Sequence, residues 1–233
     1  MRTLGIMIGT AAALLAGAGP PADADLVQRA LEATDGGSVR GWAYTETAVE
    51  NGRETVTTFD PRRPDAERWH LVSVDGRPPT DAEREKEAQR RSADEDPDTG
   101  TGSEDDDEIG GMIKPGSLSL VEDTGTHAVY RFEPVSDDED DAKIYENLEA
   151  NLKIVKDGPY VESVDMRSRG PFKPGFGVKI SEFVMAMTFE PAAAGGPLLP
   201  RTVTVRLNGR ALLFKKIKEK VKVTYSGYEY VGE

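Results

Sequence analysis

Only two histidines are available for acid–base chemistry in this chain, and cysteine is absent. His70 and His127 both fall in segments whose alternating, β-branched composition predicts strands. Neither belongs to a serine-elbow or an H-E-x-x-H pattern, and the lack of cysteine excludes a thiol nucleophile. The glycines of GPFKPGFGVK, residues 170–179, lack the spacing of a phosphate loop or a dinucleotide site. The sequence therefore predicts a protein that is not an enzyme and that binds no cofactor.

Aspartates at alternate positions of DEDPDTG invite comparison with a calcium-binding loop. Asp94, Asp96 and Asp98 stand at positions 1, 3 and 5 of such a loop. Position 6, which requires glycine, is Thr99, and a proline occupies position 4. We therefore predict no dedicated metal site in this segment.

A row of large apolar side chains occupies the segment EFVMAMTFE. At strand spacing, Phe183, Met185, Met187 and Phe189 share one face. Methionine is adaptable, so a lining of methionine and phenylalanine accepts irregular apolar shapes. The row is either ordinary core beneath a helix or the floor of a ligand cavity. In the second interpretation, four aromatic residues complete the ligand-binding set: Trp42, Tyr44, Phe172 and Phe176.

The lysine-rich segment LFKKIKEKVKVTY poses a choice between a basic helix and a strand. Alternation and β-branched content favour the strand, because Ile217, Val221 and Val223 face one way and most lysines face the other. The lysines on that second face are Lys216, Lys218, Lys220 and Lys222. This row is either a solvated face that resists edge pairing, or a partner-binding surface for anionic lipid headgroups or an acidic protein.

A hairpin turn is predicted at Asn208-Gly209, just before these lysines. A two-residue turn there pairs Val205 with Leu212 on one face. Apolar residues then fall on even positions before the Lys215-Lys216 doublet and on odd positions after it. Since side chains alternate strictly along a strand, we predict a β-bulge or a sharp bend at Lys215-Lys216.

Negative charge is concentrated in two runs, residues 94–108 and residues 137–141. The formal net charge is −13, and nine carboxylates with no base lie between Ser92 and Glu108. Because this region has few apolar groups to offset its ordering entropy, residues 92–116 are predicted to form a disordered insertion. An acidic chain also argues against nucleic acid as a partner.

The N-terminal stretch MRTLGIMIGTAAALLAGAGPPADA reads as a secretory signal. Arg2 supplies the positive end, an apolar run follows, and Ala22-Asp23-Ala24 fits an A-x-A cleavage site. The apolar run is shorter than the ~20 residues of a membrane span. We therefore expect a signal peptide at 1–24, export to the periplasm, and one domain at 25–233.

Turn-forming and helix-capping residues divide the remainder of the chain into strands and short helices. A helix is expected at 25–34, a hairpin at Asn51-Gly52, and a further strand ending at Asp75-Gly76. Thr80 and Glu83 have capping-box spacing for a second helix. Two more strands flank Thr124-Gly125, the segment AKIYENLEANL (residues 142–152) is expected to be helical, and strand follows almost continuously from residue 151.

The order of these elements resembles the periplasmic lipoprotein-carrier superfamily (LolA/LolB-like). The resemblance is carried by the signal ending in ADA, the first helix DLVQRALEA, the hairpin leading into FDPRRPDAERWHLVSVDG, and the long sheet interrupted by a small helical insertion. It implies an open half-barrel whose concave, helix-covered face holds acyl chains, and regulatory relatives use the same shape to sense envelope stress.

Together these features predict an α+β fold, a strongly curved antiparallel sheet with a few helices packed on one face. The expected function is non-catalytic binding of a lipid, an acyl chain or a lipoprotein between sheet and helices. The alternative is an envelope protein-interaction or stress-sensing module that uses the basic sheet face.

Overall fold

Three α-helices and ten strands form in the part of the chain that the structure, a computed structural model, describes: residues 23–35, 39, 41–94, 109–136, 138–192, 196–212 and 215–232. The helices are α1 (Ala24–Asp35), α2 (Asp81–Asp94) and α3 (Glu139–Tyr145), with a 3₁₀ turn at Asp65–Glu67. The strands are β1 (Trp42–Glu50), β2 (Arg53–Phe59), β3 (Trp69–Val74), β4 (Ser119–Asp123), β5 (His127–Phe132), β6 (Leu148–Val155), β7 (Tyr160–Ser168), β8 (Val178–Pro191), β9 (Leu198–Ala211) and β10 (Lys215–Tyr230).

All ten strands belong to one antiparallel sheet in the order β3-β2-β1-β10-β9-β8-β7-β6-β5-β4. The last strand therefore pairs with the first, and β10 joins the N-terminal hairpins to the remainder of the sheet. The sheet is curved and does not close into a barrel, which confirms the predicted α+β class.

The face of the sheet that carries helices α1 and α2 is called the inner face here. Helix α1 packs on β6, β7 and β9, and α2 packs on β3. Thr34 fixes α1 to the sheet, because its hydroxyl donates to the Ala30 carbonyl at 2.7 Å and accepts from the Val161 N–H at 3.0 Å. The fully buried core lies under α1, where Leu152, Val164 and Met166 are at most 1% exposed.

The predicted hairpin turn at Asn51-Gly52 and the predicted capping box of Thr80 and Glu83 are both confirmed. Asn51 and Gly52 join β1 to β2 with φ values of 52° and 92°, the left-handed conformations of a tight hairpin. At the start of α2, the Thr80 N–H donates to the Glu83 carboxylate at 2.9 Å. The Glu83 N–H donates in return to the Thr80 hydroxyl at 3.3 Å.

The predicted turn at Asn208-Gly209 is wrong. Both residues lie inside β9, opposite Lys218 and Ile217, and the chain turns between Ala211 and Lys215. The β9–β10 register runs without a shift from Lys215 to Thr224, so there is no bulge at Lys215-Lys216, and the sharp bend predicted as its alternative lies directly before Lys215. The switch of apolar residues from even to odd positions therefore reflects the turn between Ala211 and Lys215.

The extent predicted for the third helix is also wrong. Helix α3 ends at Tyr145, and the second half of AKIYENLEANL forms the start of β6. Leu148, Ala150, Leu152 and Ile154 are all completely buried on the inner face. Burial of every second residue over this length favours a strand over the helical propensity of the segment.

The limits predicted for the disordered insertion are wrong at both ends. Helix α2 runs to Asp94, and residues 109–116 fold against the core. Ile109 is only 4% exposed, and Ile113 forms a β-bridge with Pro134. Residues 95–108 lie outside the described part of the chain, as do residues 1–22 of the expected signal peptide.

A candidate apolar binding face

The central strands carry a half-buried apolar strip on the inner face. Cross-strand pairing aligns Met185 of β8 with Val205 of β9 and with Val221 of β10. The neighbouring cross-strand rows, Phe183–Leu207 and Met187–Val203–Val223, extend this line of apolar residues. Directly paired residues point to the same face of the sheet. We call these eight residues the inner strip: Phe183, Met185, Met187, Val203, Val205, Leu207, Val221 and Val223.

Exposure of the inner face changes at the boundary between β7 and β8. Val164 and Met166 of β7 are fully buried, whereas their partners Met187 and Met185 are half-buried. Phe183, Met185, Met187 and Phe189 pack against the core on one side. The inner strip is therefore an apolar surface that continues out of the core and remains accessible along β8, β9 and β10.

An aromatic cluster adjoins the inner strip on β1, β2, β3 and β10. Tyr44 lies at its centre and contacts four rings at centroid distances from 5.2 to 5.9 Å. Trp42 joins through Tyr228 at 6.2 Å, and Phe59 and Trp69 lie 4.8 Å apart. The aromatic cluster consists of Trp42, Tyr44, Phe59, Trp69, Tyr225, Tyr228 and Tyr230.

Arg91 of α2 covers one side of the aromatic cluster. Its guanidinium carbon lies 3.7 Å from the centroid of the Trp69 ring, and its Nη2 lies 2.5 Å from the Glu46 carboxylate. Its Nε also lies 2.9 Å from Glu87. Only 12% of the Arg91 side chain and 10% of Glu46 are exposed. This ion pair and cation–π contact hold α2 over the end of the sheet.

The pKa values of the tyrosines in the cluster and of the nearby Glu87 are shifted in opposite directions. Burial raises the pKa of Tyr44, with further contributions from Tyr225 and Glu46. Burial likewise raises the pKa of Tyr225 and of Tyr228, so these phenols stay neutral. Burial also acts to raise the pKa of Glu87, but Arg90 and Arg91 outweigh it and the pKa lies below its usual value.

The structure brings together some of the predicted ligand-binding residues and separates others. Phe183, Met185, Met187 and Phe189 share the inner face, and Trp42 and Tyr44 belong to the adjoining aromatic cluster. Phe172 is instead 8% exposed in the core, and Phe176 projects fully into solvent from the loop before β8. These two phenylalanines do not complete the same surface.

The four predicted lysines lie on the outer face of β10. Lys216, Lys218, Lys220 and Lys222 are all exposed, and Lys220 lies directly opposite Arg206. Arg206 is paired with Glu182 at 3.0 Å. The lysine row thus belongs to a basic surface on the opposite side of the sheet from the inner strip.

Neither histidine belongs to the inner strip or to the aromatic cluster. His70 is exposed on β3, opposite Thr58. His127 Nδ1 lies 2.8 Å from the Thr126 hydroxyl and its Nε2 lies 3.5 Å from Glu162. Within the described ranges, no group of three histidine or carboxylate side chains has the arrangement of a metal site.

Several residues of the surface were not predicted from the sequence. Phe59 and Trp69 pair across β2 and β3, and only the β1–β10 pairing brings them to Tyr225 and Tyr228 of the last strand. The valines of β9 and β10 carried a usable signal, since an alternating apolar pattern opposite a Phe/Met row predicts a shared face once the register is known.

No helix among the described residues is long and apolar enough to span a bilayer. No protein-family model, curated protein or solved structure matches the chain.

Proposed function

We propose that this protein is an exported, non-catalytic binder of an apolar ligand, a lipid or an acyl chain, held against the inner strip. The observation that carries the proposal is the half-buried state of eight large apolar side chains directly beside a fully buried core. An accessible apolar surface of this kind is costly in water and marks a binding surface.

The shape and chemistry of the inner strip favour a long, flexible ligand. From β8 to β10 the inner strip spans two strand spacings, or about 10 Å at ~4.8 Å each. Met185 and Met187 adapt to irregular apolar shapes. None of the eight side chains of the strip is charged, and Glu219 and Glu50, which lie opposite Leu207 and Val221 on the same face, border it on β10 and β1. The neighbouring phenols of Tyr44 and Tyr225 are held neutral, so the strip itself suits hydrocarbon better than a polar solute.

The position of the helices supports the same proposal. Helix α1 covers β6, β7 and β9, and α2 lies on β3, so the inner strip lies between two helical elements. The resemblance in element order to the lipoprotein carriers points to the same side of the sheet. Export to the periplasm is part of the proposal and rests on the sequence of residues 1–24.

The direct test is lipid co-purification by protein produced with its own N-terminal segment. Organic extraction and mass spectrometry give moles of lipid per mole of protein. We expect the Phe183→Asp/Met185→Asp variant to lose bound lipid, because a carboxylate in the strip cannot be desolvated against hydrocarbon. A milder variant, Val205→Thr/Val221→Thr, preserves side-chain shape and should lower the lipid content while folding normally.

The matched control is Val184→Asp. Val184 lies between the two strip residues in sequence but points to the outer face, where it pairs with Arg167 and Arg206. This variant should retain lipid. Equal lipid content in all folded variants would contradict the proposal and favour the protein-interaction alternative, which uses the lysine row.

A further inference from the structure

Two large apolar side chains project into solvent at one end of the sheet. Phe176 is fully exposed at 102%, and 71% of Leu212 is exposed. They lie close together, because the Leu212 N–H donates to the carbonyl of Gly177 at 2.7 Å. We call this end of the sheet the tip. Leu213 and Phe214 lie outside the described residues, and the tip is defined without them.

The exposure of Phe176 is not a consequence of a loosely attached loop. Four residues earlier, Phe172 exchanges two backbone hydrogen bonds of 2.9 Å with Ile180. Its side chain is also buried in the core. The loop is thus fixed at Phe172 and at Gly177, and Phe176 is presented between these two points.

Leu212 occupies a backbone conformation that does not favour leucine. Its φ is +48°, in the left-handed region where glycine and asparagine are much less strained. An exposed leucine at such a position gains little from burial in this chain. Folding alone therefore gives no reason for a large apolar residue at the turn.

Cations lie on the strands and in the loop next to the two apolar side chains. Lys179 of β8, Arg210 of β9 and Lys216 of β10 lie directly opposite one another across three strands, within about 10 Å. Like charges in opposing positions are unfavourable within a sheet. With two nearby bases, the exposed cations of the tip are Lys173, Lys179, Arg210, Lys215 and Lys216. Among the described side chains, none of them pairs with a carboxylate.

We propose that the tip docks the protein on an anionic phospholipid surface, with Phe176 and Leu212 entering the interfacial region and the five cations binding headgroup phosphates. Exposed apolar side chains with lysine and arginine nearby suit the boundary between acyl chains and anionic headgroups. A protein partner fits less well, because a stable protein interface buries roughly 800 Å² per partner, far more than two projecting side chains supply. The inference concerns a different surface from the inner strip and does not depend on ligand binding there.

Vesicle co-sedimentation tests the proposal with phosphatidylglycerol/phosphatidylcholine vesicles and with pure phosphatidylcholine vesicles. The protein should bind the anionic vesicles, more weakly at high salt. The Phe176→Ser/Leu212→Asn variant should lose roughly tenfold or more in partition coefficient, because two large apolar side chains no longer leave water. Asparagine tolerates the positive φ, so this variant should fold at least as well.

Two matched controls separate the tip from general effects. Val72→Ser/Val121→Ser removes two exposed apolar side chains elsewhere on the sheet, which are 44% and 51% exposed, and should bind as the unmodified protein does. The second control concerns charge. Lys179→Gln/Lys215→Gln/Lys216→Gln should weaken binding far more than Lys218→Gln/Lys220→Gln/Lys222→Gln, which changes three lysines of β10 farther from the tip.

Three outcomes would overturn the inference. The first is no binding to anionic vesicles. The second is unchanged binding by Phe176→Ser/Leu212→Asn, which would indicate a purely electrostatic contact. The third is an equal loss from the two lysine triples, which would place the contact on the flat outer face.

Discussion

At the scale of single residues, Arg91 attaches the C-terminal part of α2 to the sheet. It combines an ion pair with Glu46, a second with Glu87 and a cation–π contact with Trp69. Removing one member of a buried ion pair leaves the other charge desolvated and uncompensated. The Arg91–Glu46 pair should therefore matter much more than the exposed pairs elsewhere on α2.

Replacement of Arg91 by methionine should lower the free energy of unfolding by about 3 kcal/mol, because the buried Glu46 carboxyl group is left without its partner. The Arg91→Met/Glu46→Gln double variant should lose less than the sum of the single variants. Urea denaturation of all three measures this coupling.

Arg84→Met is the matched control within the same helix. Arg84 pairs with Asp81 at 2.7 Å, but about half of its side chain and all of Asp81 are exposed. We expect a change within about 0.5 kcal/mol. Similar losses for Arg84 and Arg91 would show that Arg91 is not the residue that fixes α2.

The sequence predicts which residues share a face where the alternation of side chains within one strand is sufficient to show it. Alternation placed Phe183, Met185 and Met187 on one face, as the register confirms. The Arg91–Glu46 pair joins residues 45 positions apart, and no local pattern in a highly charged helix distinguishes Arg91 from its neighbours. The same holds for Phe172, whose burial depends on pairing with Ile180.

At the scale of elements, β9 shows why the Asn208-Gly209 dipeptide, a typical turn signal, lies inside a strand. Asn208 uses its side-chain amide to donate to Glu182 at 2.6 Å. Gly209 lies against β8, where a β-carbon would approach the Lys179 carbonyl oxygen to 2.6 Å. Asn208 therefore serves a hydrogen bond to β8 and Gly209 a close approach to that strand, beside a register shift between Ile180 and Glu182.

Replacement of Gly209 by alanine should destabilise the fold by about 1–3 kcal/mol, because the β8 backbone must move to admit a methyl group. Thermal unfolding followed by circular dichroism measures this loss. Gly125→Ala is the control, since its β-carbon would meet no atom within 4 Å. If Gly209→Ala were as stable as Gly125→Ala, the close-approach explanation would be incorrect.

Elements bounded by short-range signals were predicted well, and those set by distant partners were not. Asn51-Gly52 and the capping box of α2 act within four residues, so composition was sufficient. Residues 148–152 instead adopt a strand because β5 and β7 flank them. Tertiary pairing there overrides local helical propensity.

At the scale of the whole molecule, the two faces and one end of the sheet have different characters. The inner strip is apolar, the outer face of β10 is basic, and the tip combines exposed apolar and cationic groups. The fold class followed from the sequence. The position of β10 between β1 and β9 did not, because pairing of the last strand with the first is the most non-local contact in the sheet.

The most direct test of apolar ligand binding uses the intrinsic fluorescence of the two tryptophans. Trp42 and Trp69 both belong to the aromatic cluster beside the inner strip, so a brominated long-chain fatty acid bound there should quench them by contact. Below the micelle-forming concentration we expect saturable quenching that Val184→Asp retains and Phe183→Asp/Met185→Asp loses. Quenching that is absent, or that rises linearly without saturation, would contradict the assignment of the inner strip as a ligand-binding surface.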